Sequence, residues 1–415
     1  MLGVGCLFLI VEGVTGLLMA AELARPGIGF LAISRYYELL TDHDAAAIAL
    51  SLWPLALGLA LVRVRPRPWT RLVVAAAAAC LLAGGALELA ATHDIQSFAY
   101  GWTSYAPNTP VSSIEHAFHE YALGLGLAWV GVALATAPLV SAALRGRFGA
   151  AAAVAAALAL PFPIATAFAA ATSRSWATPR HVTFLGLALT LLGATAESLA
   201  ARPLPRLYLV SVAAFPPVAA AVSIEHLARG PIGEGHWEEL VLGAPVAGAF
   251  AAVLVLVAFV AGRARTSAPA FFVATALLQL LAAGLLGIIL AASDPLSHRA
   301  DTQFVTAHLH FALLGFGLCS LLALAHATWP RLGGRPALVG LVLLVAGTAV
   351  LSVAEAVAGY RRMPRRVSDY APMFSGENLA AAIGGALTVA AVLVFAANAL
   401  AAALPSRFPN PRLRS

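Results

Sequence analysis

The chain contains no lysine, only three cysteines and few charged residues for its length. Arginine supplies all 25 cationic side chains, and Asp, Glu, Lys and Arg together make up 11% of the 415 residues. Hydrophobic residues make up 61%, and the mean hydropathy is +0.87. Because a soluble domain cannot bury so much apolar surface, this composition excludes a soluble enzyme and a soluble nucleic-acid-binding protein.

The three cysteines, Cys6, Cys80 and Cys319, lie far apart in separate apolar segments. They form no C-x-x-C pair, no C-x-x-C-H attachment motif for haem and no thiolate metal motif. We therefore expect three buried, inert thiols.

Apolar runs of about 20 residues recur along the whole chain, and each is long enough to cross a hydrocarbon core of about 30 Å as a helix. No soluble domain or linker separates them, so we predict an all-α integral membrane protein with one domain, residues 1–415, and twelve transmembrane helices. The first run lacks a basic segment before it and contains Glu12, which favours a span over a signal peptide. The predicted spans are 2–22, 44–62, 72–92, 116–139, 148–171, 181–200, 207–225, 239–262, 269–292, 304–328, 336–358 and 378–403.

The arginines divide the loops between these spans into two alternating classes. Loops of one class are short and contain arginine without Asp or Glu, whereas loops of the other class are longer and mixed in charge. The positive-inside rule places the arginine loops and both termini in the cytoplasm. The formal net charge of +6 thus reflects membrane topology and does not indicate nucleic-acid binding.

Ten of the eleven histidines fall on the outer side of this predicted bundle, at span ends or in outer loops. Only His326 lies on the cytoplasmic side, where we expect it at the membrane interface. One end of the bundle is therefore rich in imidazole, which is typical of metal ligation or proton handling.

Two of these histidines, His308 and His310, begin the tenth span in the stretch "FVTAHLHFALLG". Residues i and i+2 of an α-helix point about 200° apart. The two imidazoles therefore cannot share one metal, but they can serve two groups on opposite faces of one helix. Two flat macrocycles that flank the helix would use both.

Other polar residues accompany the pair at the outer end. In "YYELLTDHDAAA", His43 starts the second span and is available as a second axial ligand. In "MPRRVSDY", Arg365 and Arg366 lie in the last outer loop, where guanidinium groups suit the propionates of a haem, although contact with lipid headgroups is an alternative.

A second metal site is indicated at the sixth and seventh spans. His181 opens the sixth span, and Glu225 and His226 close the seventh, both on the outer side. These side chains could together hold a non-haem metal.

These motifs resemble subunit I of the haem–copper oxidase superfamily. The segment "TAHLHFALLG…WPRL…MPRRVSDYAPMFSGENLAAAIG" is similar to the end of that subunit, "YYELLTDHDAAA" resembles its second helix, and the twelve predicted spans match. The resemblance implies two haems and a facing non-haem metal. It assigns His43 and His310 to a low-spin haem, His308 to a high-spin haem, His181 and His226 to the metal, and Arg365 and Arg366 to propionates.

The chain departs from the oxygen-reducing members at two positions. Family members usually end the seventh span with His-His, where this chain has Glu225-His226, and a carboxylate ligand favours iron over copper. Oxygen-reducing members also have a tyrosine one turn after the sixth-span histidine, and Leu185 occupies that place here.

The distribution of acidic residues resembles that of the nitric oxide reductases of this superfamily. The cytoplasmic loops contain no Asp or Glu, whereas carboxylates are dense on the outer side. The reductases hold a non-haem iron and use no cytoplasmic proton channel. "HEYALGLG", with Glu120, also resembles a reductase segment whose glutamate helps to hold calcium, and a simple helix-start glutamate is the alternative.

We therefore expect a respiratory reductase in the inner membrane of a bacterium or archaeon, which reduces nitric oxide to nitrous oxide with protons from the outer side. A B-type cytochrome c oxidase that reduces O₂ is the first alternative. A cofactor-free secondary transporter with twelve helices is an alternative of another class. The absence of c-type haem and dinuclear copper motifs implies a partner subunit, with a c-type haem or a cupredoxin domain, that delivers electrons.

Overall fold

The computed structural model describes residues 1–24, 31–32, 35–36, 38–40, 43, 50–64, 68–94, 115–143, 188–189, 191–199, 205–208, 255–256, 267–292, 302–365 and 370–403. Every structural statement below refers to these residues. Their main helices are α1 (Leu2–Leu23), α2 (Trp53–Val64), α3 (Pro68–Asp94), α4 (Glu115–Ala143), α5 (Ala268–Ala292), α6 (Gln303–His310), a π-helix (Phe311–Leu318), α7 (Cys319–Thr328), α8 (Arg335–Tyr360) and α9 (Ser375–Ala403). Short 3₁₀ turns at Pro330–Leu332 and Pro372–Phe374 precede α8 and α9.

The described helices coincide with eight of the predicted spans. Six are long and apolar enough to cross a membrane, and the apolar helices Leu50–Val62 and Gly126–Leu139 are shorter. Of the remaining predicted spans, 148–171 lies outside the described residues, 207–225 and 239–262 lie mostly outside them, and 181–200 is described only at 188–189 and 191–199. The all-helical architecture is thus confirmed, and the count of twelve stays a prediction.

The tenth predicted span is three consecutive segments and not one regular α-helix. Thr302 caps its start, because its hydroxyl accepts from the backbone amide of Phe304 at 3.3 Å. The helix widens to π geometry directly after His310, between Phe311 and Leu318, and returns to α geometry at Cys319. Such π segments are rare and frequently lie at functional sites. Both histidines, His308 and His310, fall in the regular segment α6, so the angle of about 200° between residues i and i+2 of an α-helix applies to them.

The packing of the described helices puts α6 between two groups of neighbours. On one flank, α6 packs against α8, which also packs along α9, and α1 packs against α9. On the other flank, α5 packs against α6, the π-helix and α7. A side chain of α6 therefore meets different partners according to the face on which it lies.

Two expectations about single residues are wrong. Cys319 is buried as expected, but Cys6 is exposed and Cys80 is only partly buried, because α1 and α3 present these faces outward. His326 is 4% exposed and stacks on Phe272 with ring centroids 4.7 Å apart, with Phe395 at its edge, so the two aromatic rings cover the imidazole. Its place at the membrane interface stays a prediction.

Candidate functional site

A cavity of about 300 Å³ lies between α1, α6, α8 and α9. Apolar side chains such as Leu9 and Val392 line part of it. Gln303, Arg365 and Asn378 line the end at which α6 and α9 begin, which we call the outer end. Concave sites of this size with a few convergent polar groups are typical of cofactor and ligand pockets. The polarity of this cavity suits a flat apolar molecule with charged groups along one edge.

His43 and His310 both line the cavity and lie close to each other. Their ring centroids are 6.4 Å apart, and the ring planes are inclined at 69°. Nδ1 of His43 donates to the carbonyl oxygen of Glu12 at 2.9 Å, and Nδ1 of His310 donates to Oε2 of Glu355 at 2.7 Å. Because Nδ1 of each ring is a donor, Nε2 is the nitrogen that each ring would offer to a metal.

These residues fit a haem with two axial histidines. With Fe–N bonds of about 2 Å, two imidazoles on opposite sides of one iron have centroids roughly 6 Å apart, which agrees with the 6.4 Å observed. At the outer end, Nδ2 of Asn378 is buried and has no hydrogen-bond partner within the described residues. An unsatisfied buried donor is rare in proteins, and a propionate would satisfy it.

His308 lies on the other flank of α6. Its Nδ1 donates to the carbonyl oxygen of Ala283 on α5 at 2.8 Å. His310 instead meets Glu355 on α8 and belongs to the cavity wall, which does not include His308. The two imidazoles therefore face different helices, as the α-helical period predicts.

The loop after α8 is tied to the start of α6. The backbone amide of Gln303 donates to the carbonyl oxygen of Met363 at 3.0 Å, and Thr302 and Pro364 form a β-bridge. Nε2 of Gln303 also donates to the hydroxyl of Tyr370 at 3.1 Å. Arg365 follows Pro364 directly, so these contacts hold Arg365 at the outer end of the cavity.

A family model matches the part of the chain that contains His310, Glu355 and Arg365, whereas His43 lies outside the matched part. Residues 235–387 match the model described as Cytochrome C and Quinol oxidase polypeptide I. The matched region includes α6, the loop with Arg365 and all of α8. This region of the chain is therefore similar to subunit I of the haem–copper oxidases. Together with the six apolar helices, this similarity indicates a multi-pass membrane protein.

Curated relatives of the chain carry the names of oxidase subunits. Cytochrome c oxidase subunit 1 of Thermostichus vulcanus is 28% identical over 142 residues, which cover 33% of this chain and 26% of the relative. The Bacillus subtilis protein of the same name is 32% identical over 124 residues, or 28% of this chain and 20% of the relative. The probable cytochrome c oxidase subunit 1-beta of Nocardia farcinica is 25% identical, and the match covers 94% of this chain and 76% of that protein. The matched part of the chain thus spans about a quarter of the length of the first relative and a fifth of the length of the second.

Several predicted ligands lie outside the described residues: His181, Glu225, His226 and Arg366. The backbone of Glu120 belongs to α4, but its side chain is also outside the described part. Among the described residues, no group of three or more His, Cys, Asp or Glu side chains converges on a possible metal position. For this chain the two haems, the non-haem metal and calcium therefore stay predictions.

Two carboxylates acquire roles that sequence reasoning missed. Glu355 is the one acidic residue of α8, and it meets His310; a lone carboxylate in an apolar span was the available signal. Glu12 is 4% exposed and accepts two hydrogen bonds. Its backbone carbonyl oxygen accepts from Nδ1 of His43, and its Oε2 accepts from the hydroxyl of Ser51 at 3.0 Å. Glu12 thus supports the cavity wall.

Proposed function

We propose that the chain is the catalytic subunit of a membrane-bound respiratory reductase that holds a low-spin haem between His43 and His310. The observation that carries this proposal is the approach of the two imidazoles to 6.4 Å across one cavity. A bound haem would supply one-electron chemistry there. The chain's own residues would hold it: Nε2 of each histidine at the iron, and Arg365 and Asn378 at the carboxylate edge.

His308 is the proposed ligand of a second, high-spin haem on the α5 flank of α6. Its hydrogen bond to the backbone of Ala283 fixes the ring and leaves Nε2 as the nitrogen for a metal. By the family resemblance, His181, Glu225 and His226 would hold a non-haem metal beside that haem. Iron is favoured there over copper, because Glu225 would provide a hard oxygen ligand.

The proposed substrate is nitric oxide. Two NO, two electrons and two protons would give N₂O and water, with protons taken from the outer side. Support comes from Glu225-His226 in place of His-His, from Leu185 in place of the tyrosine of oxygen-reducing members, and from cytoplasmic loops without Asp or Glu. Reduction of O₂ to water is the second candidate, which the names of the three relatives favour.

The proposal includes a partner and an orientation. Electrons would come from a subunit with a c-type haem or a cupredoxin domain, because the chain contains no C-x-x-C-H motif and no dinuclear copper cysteines. The chain would lie in the inner membrane of a bacterium or archaeon with both termini in the cytoplasm.

A visible spectrum of the purified protein tests the low-spin haem. We expect dithionite-reduced bands of a haem with two histidine ligands and two haems per chain by the pyridine haemochrome assay. The His43→Ala variant should lose one haem and the low-spin bands, whereas the control His298→Ala, an outer-loop histidine with no proposed ligand role, should keep both. A wild-type protein without haem bands would reject the proposal and favour the transporter.

Gas turnover distinguishes the two substrates. With an artificial electron donor and no oxygen, we expect one N₂O per two NO by gas chromatography. Turnover of O₂ with proton translocation, and none of NO, would establish the second candidate instead.

Metal analysis tests the role of Glu225. We expect one non-haem iron per chain, lost in Glu225→Ala together with NO turnover and retained in the control Glu234→Ala, which changes another outer carboxylate. Unchanged iron and turnover in Glu225→Ala would remove Glu225 from the site.

A further inference from the structure

The hydrogen-bond partner of His310 differs from those of the other three histidines whose side chains the structure describes. Nδ1 of His43, His308 and His326 donates in each case to a neutral backbone carbonyl. His310 instead donates to a carboxylate, Oε2 of Glu355, at 2.7 Å. Hydrogen bonds in which one partner is ionised are shorter and roughly twice as strong as neutral ones.

The surroundings of this pair strengthen the interaction. The side chains of His310 and Glu355 are 17% and 11% exposed, and both line the cavity between α1, α6, α8 and α9. A buried carboxylate is costly unless it is hydrogen-bonded or paired with a positive charge. Oε2 of Glu355 accepts a hydrogen bond from Nδ1 of His310, and a neutral imidazole brings no positive charge to the carboxylate. A ferric haem on the far side of that ring would add positive charge where the carboxylate needs it.

Glu377 provides an internal contrast within the same cavity. Its carboxylate also lines the cavity, but it is paired with the guanidinium of Arg361 and not with a histidine. Substituting it removes one negative charge from the cavity wall without removing a hydrogen bond to a proposed ligand.

We propose that Glu355 is a positioning residue that makes His310 a more basic ligand and thereby lowers the reduction potential of the low-spin haem. This inference rests on the proposed function, since it needs a haem on His310. A carboxylate that accepts from Nδ1 fixes the tautomer and ring orientation and gives the ring imidazolate character. A stronger donor stabilises ferric over ferrous iron, so the haem gives up its electron more readily. Glu355 would therefore increase the driving force for electron transfer to the second haem across α6.

Potentiometric titration of the purified protein tests the inference. Glu355→Gln keeps the shape of the side chain and removes its charge, and we expect the low-spin haem to titrate at a more positive potential. At the wild-type midpoint, the ratio of reduced to oxidised haem should rise about tenfold, which corresponds to 59 mV for one electron. The control Glu377→Gln should shift the midpoint by less than a third as much. An unchanged midpoint in Glu355→Gln, with the low-spin spectrum retained, would overturn the inference.

A measurement on the wild-type protein covers the case in which Glu355→Gln does not fold. The near-infrared charge-transfer band of the ferric low-spin haem, read by magnetic circular dichroism, moves to shorter wavelength as a histidine ligand gains imidazolate character. We expect the band of this protein at a shorter wavelength than that of haems whose two histidine ligands both donate to carbonyl oxygens. A band at the same wavelength as in those haems would contradict the inference. Absence of any haem in the wild type would instead reject the proposed function, so the two failures are distinguishable.

Discussion

The backbone amide of Gln303 donates to the carbonyl oxygen of Met363 at 3.0 Å, so the loop before the last span is bound to the first residue of the histidine helix. The adjacent β-bridge between Thr302 and Pro364 extends the contact. Because Arg365 follows directly, its position relative to His310 is determined by backbone pairing and does not depend on the side chain alone.

Arg365 should raise the potential of the low-spin haem, opposite in sign to Glu355. Its positive charge at the outer end of the cavity favours the reduced haem, so Arg365→Gln should move the midpoint to a more negative value. At the wild-type midpoint we expect the reduced-to-oxidised ratio to fall about tenfold, or 59 mV. The exposed Arg362 provides the control, as Arg362→Gln should leave the midpoint unchanged. A retained haem with no shift in Arg365→Gln would place the guanidinium away from the propionates.

A side chain at Gly16 should displace His43. A Cβ built at Gly16 would lie 2.9 Å from Cε1 of His43, whereas a Cβ at Gly3 of the same helix has no atom within 4 Å. We expect Gly16→Val to reduce low-spin haem occupancy at least several-fold, measured by reduced-minus-oxidised spectroscopy, because overpacking forces the ring away from its position. Gly3→Val should bind haem as the wild type does. Equal haem content in both variants would show that His43 does not hold the haem.

The contact between α8 and α9 should be sensitive at Gly384 and insensitive at Gly385. A Cβ at Gly384 would lie 2.3 Å from the backbone nitrogen of Leu351 and 2.8 Å from the carbonyl oxygen of Gly347, whereas a Cβ at Gly385 has no atom within 4 Å. Overpacking of this kind costs about 1–3 kcal/mol. We expect Gly384→Val to unfold at a lower temperature in detergent than Gly385→Val, which carries the same change in helix propensity. Equal melting temperatures would contradict this close contact.

The orientation inferred from the arginines can be tested with reporter fusions. Alkaline phosphatase is active only outside the cytoplasm, so a fusion after residue 362 should be active and one after residue 333 inactive. Fusions of a fluorescent protein at the same two positions serve as the control and should give the opposite result. An active phosphatase after residue 333 would invert the predicted topology.

The helical spans, and the fact that His308 and His310 face different neighbours, could be predicted from the sequence. Apolar runs of membrane length must form helices, since lipid offers no partners to an exposed backbone. On a regular helix, two residues at i and i+2 must face different neighbours, and the structure places Ala283 beside one and Glu355 beside the other. His43 could be named as a ligand only because its motif resembles a family.

The partners of these residues could not be predicted, because they come from distant segments. Nothing local to Glu355 indicates that its carboxylate meets His310, and nothing local to Glu12 indicates that its carbonyl oxygen accepts from His43. The burial of His326 between Phe272 and Phe395 depends likewise on how α5, α7 and α9 pack.

The sequence by itself determined that this chain contains apolar helices of membrane length and that His308 and His310 face different neighbours, because hydropathy and helical period act along the chain. The resemblance had already paired His43 with His310, and only the tertiary structure decided which carbonyl or carboxylate each imidazole meets. Such pairings depend on the packing of helices far apart in sequence, and no local pattern encodes them.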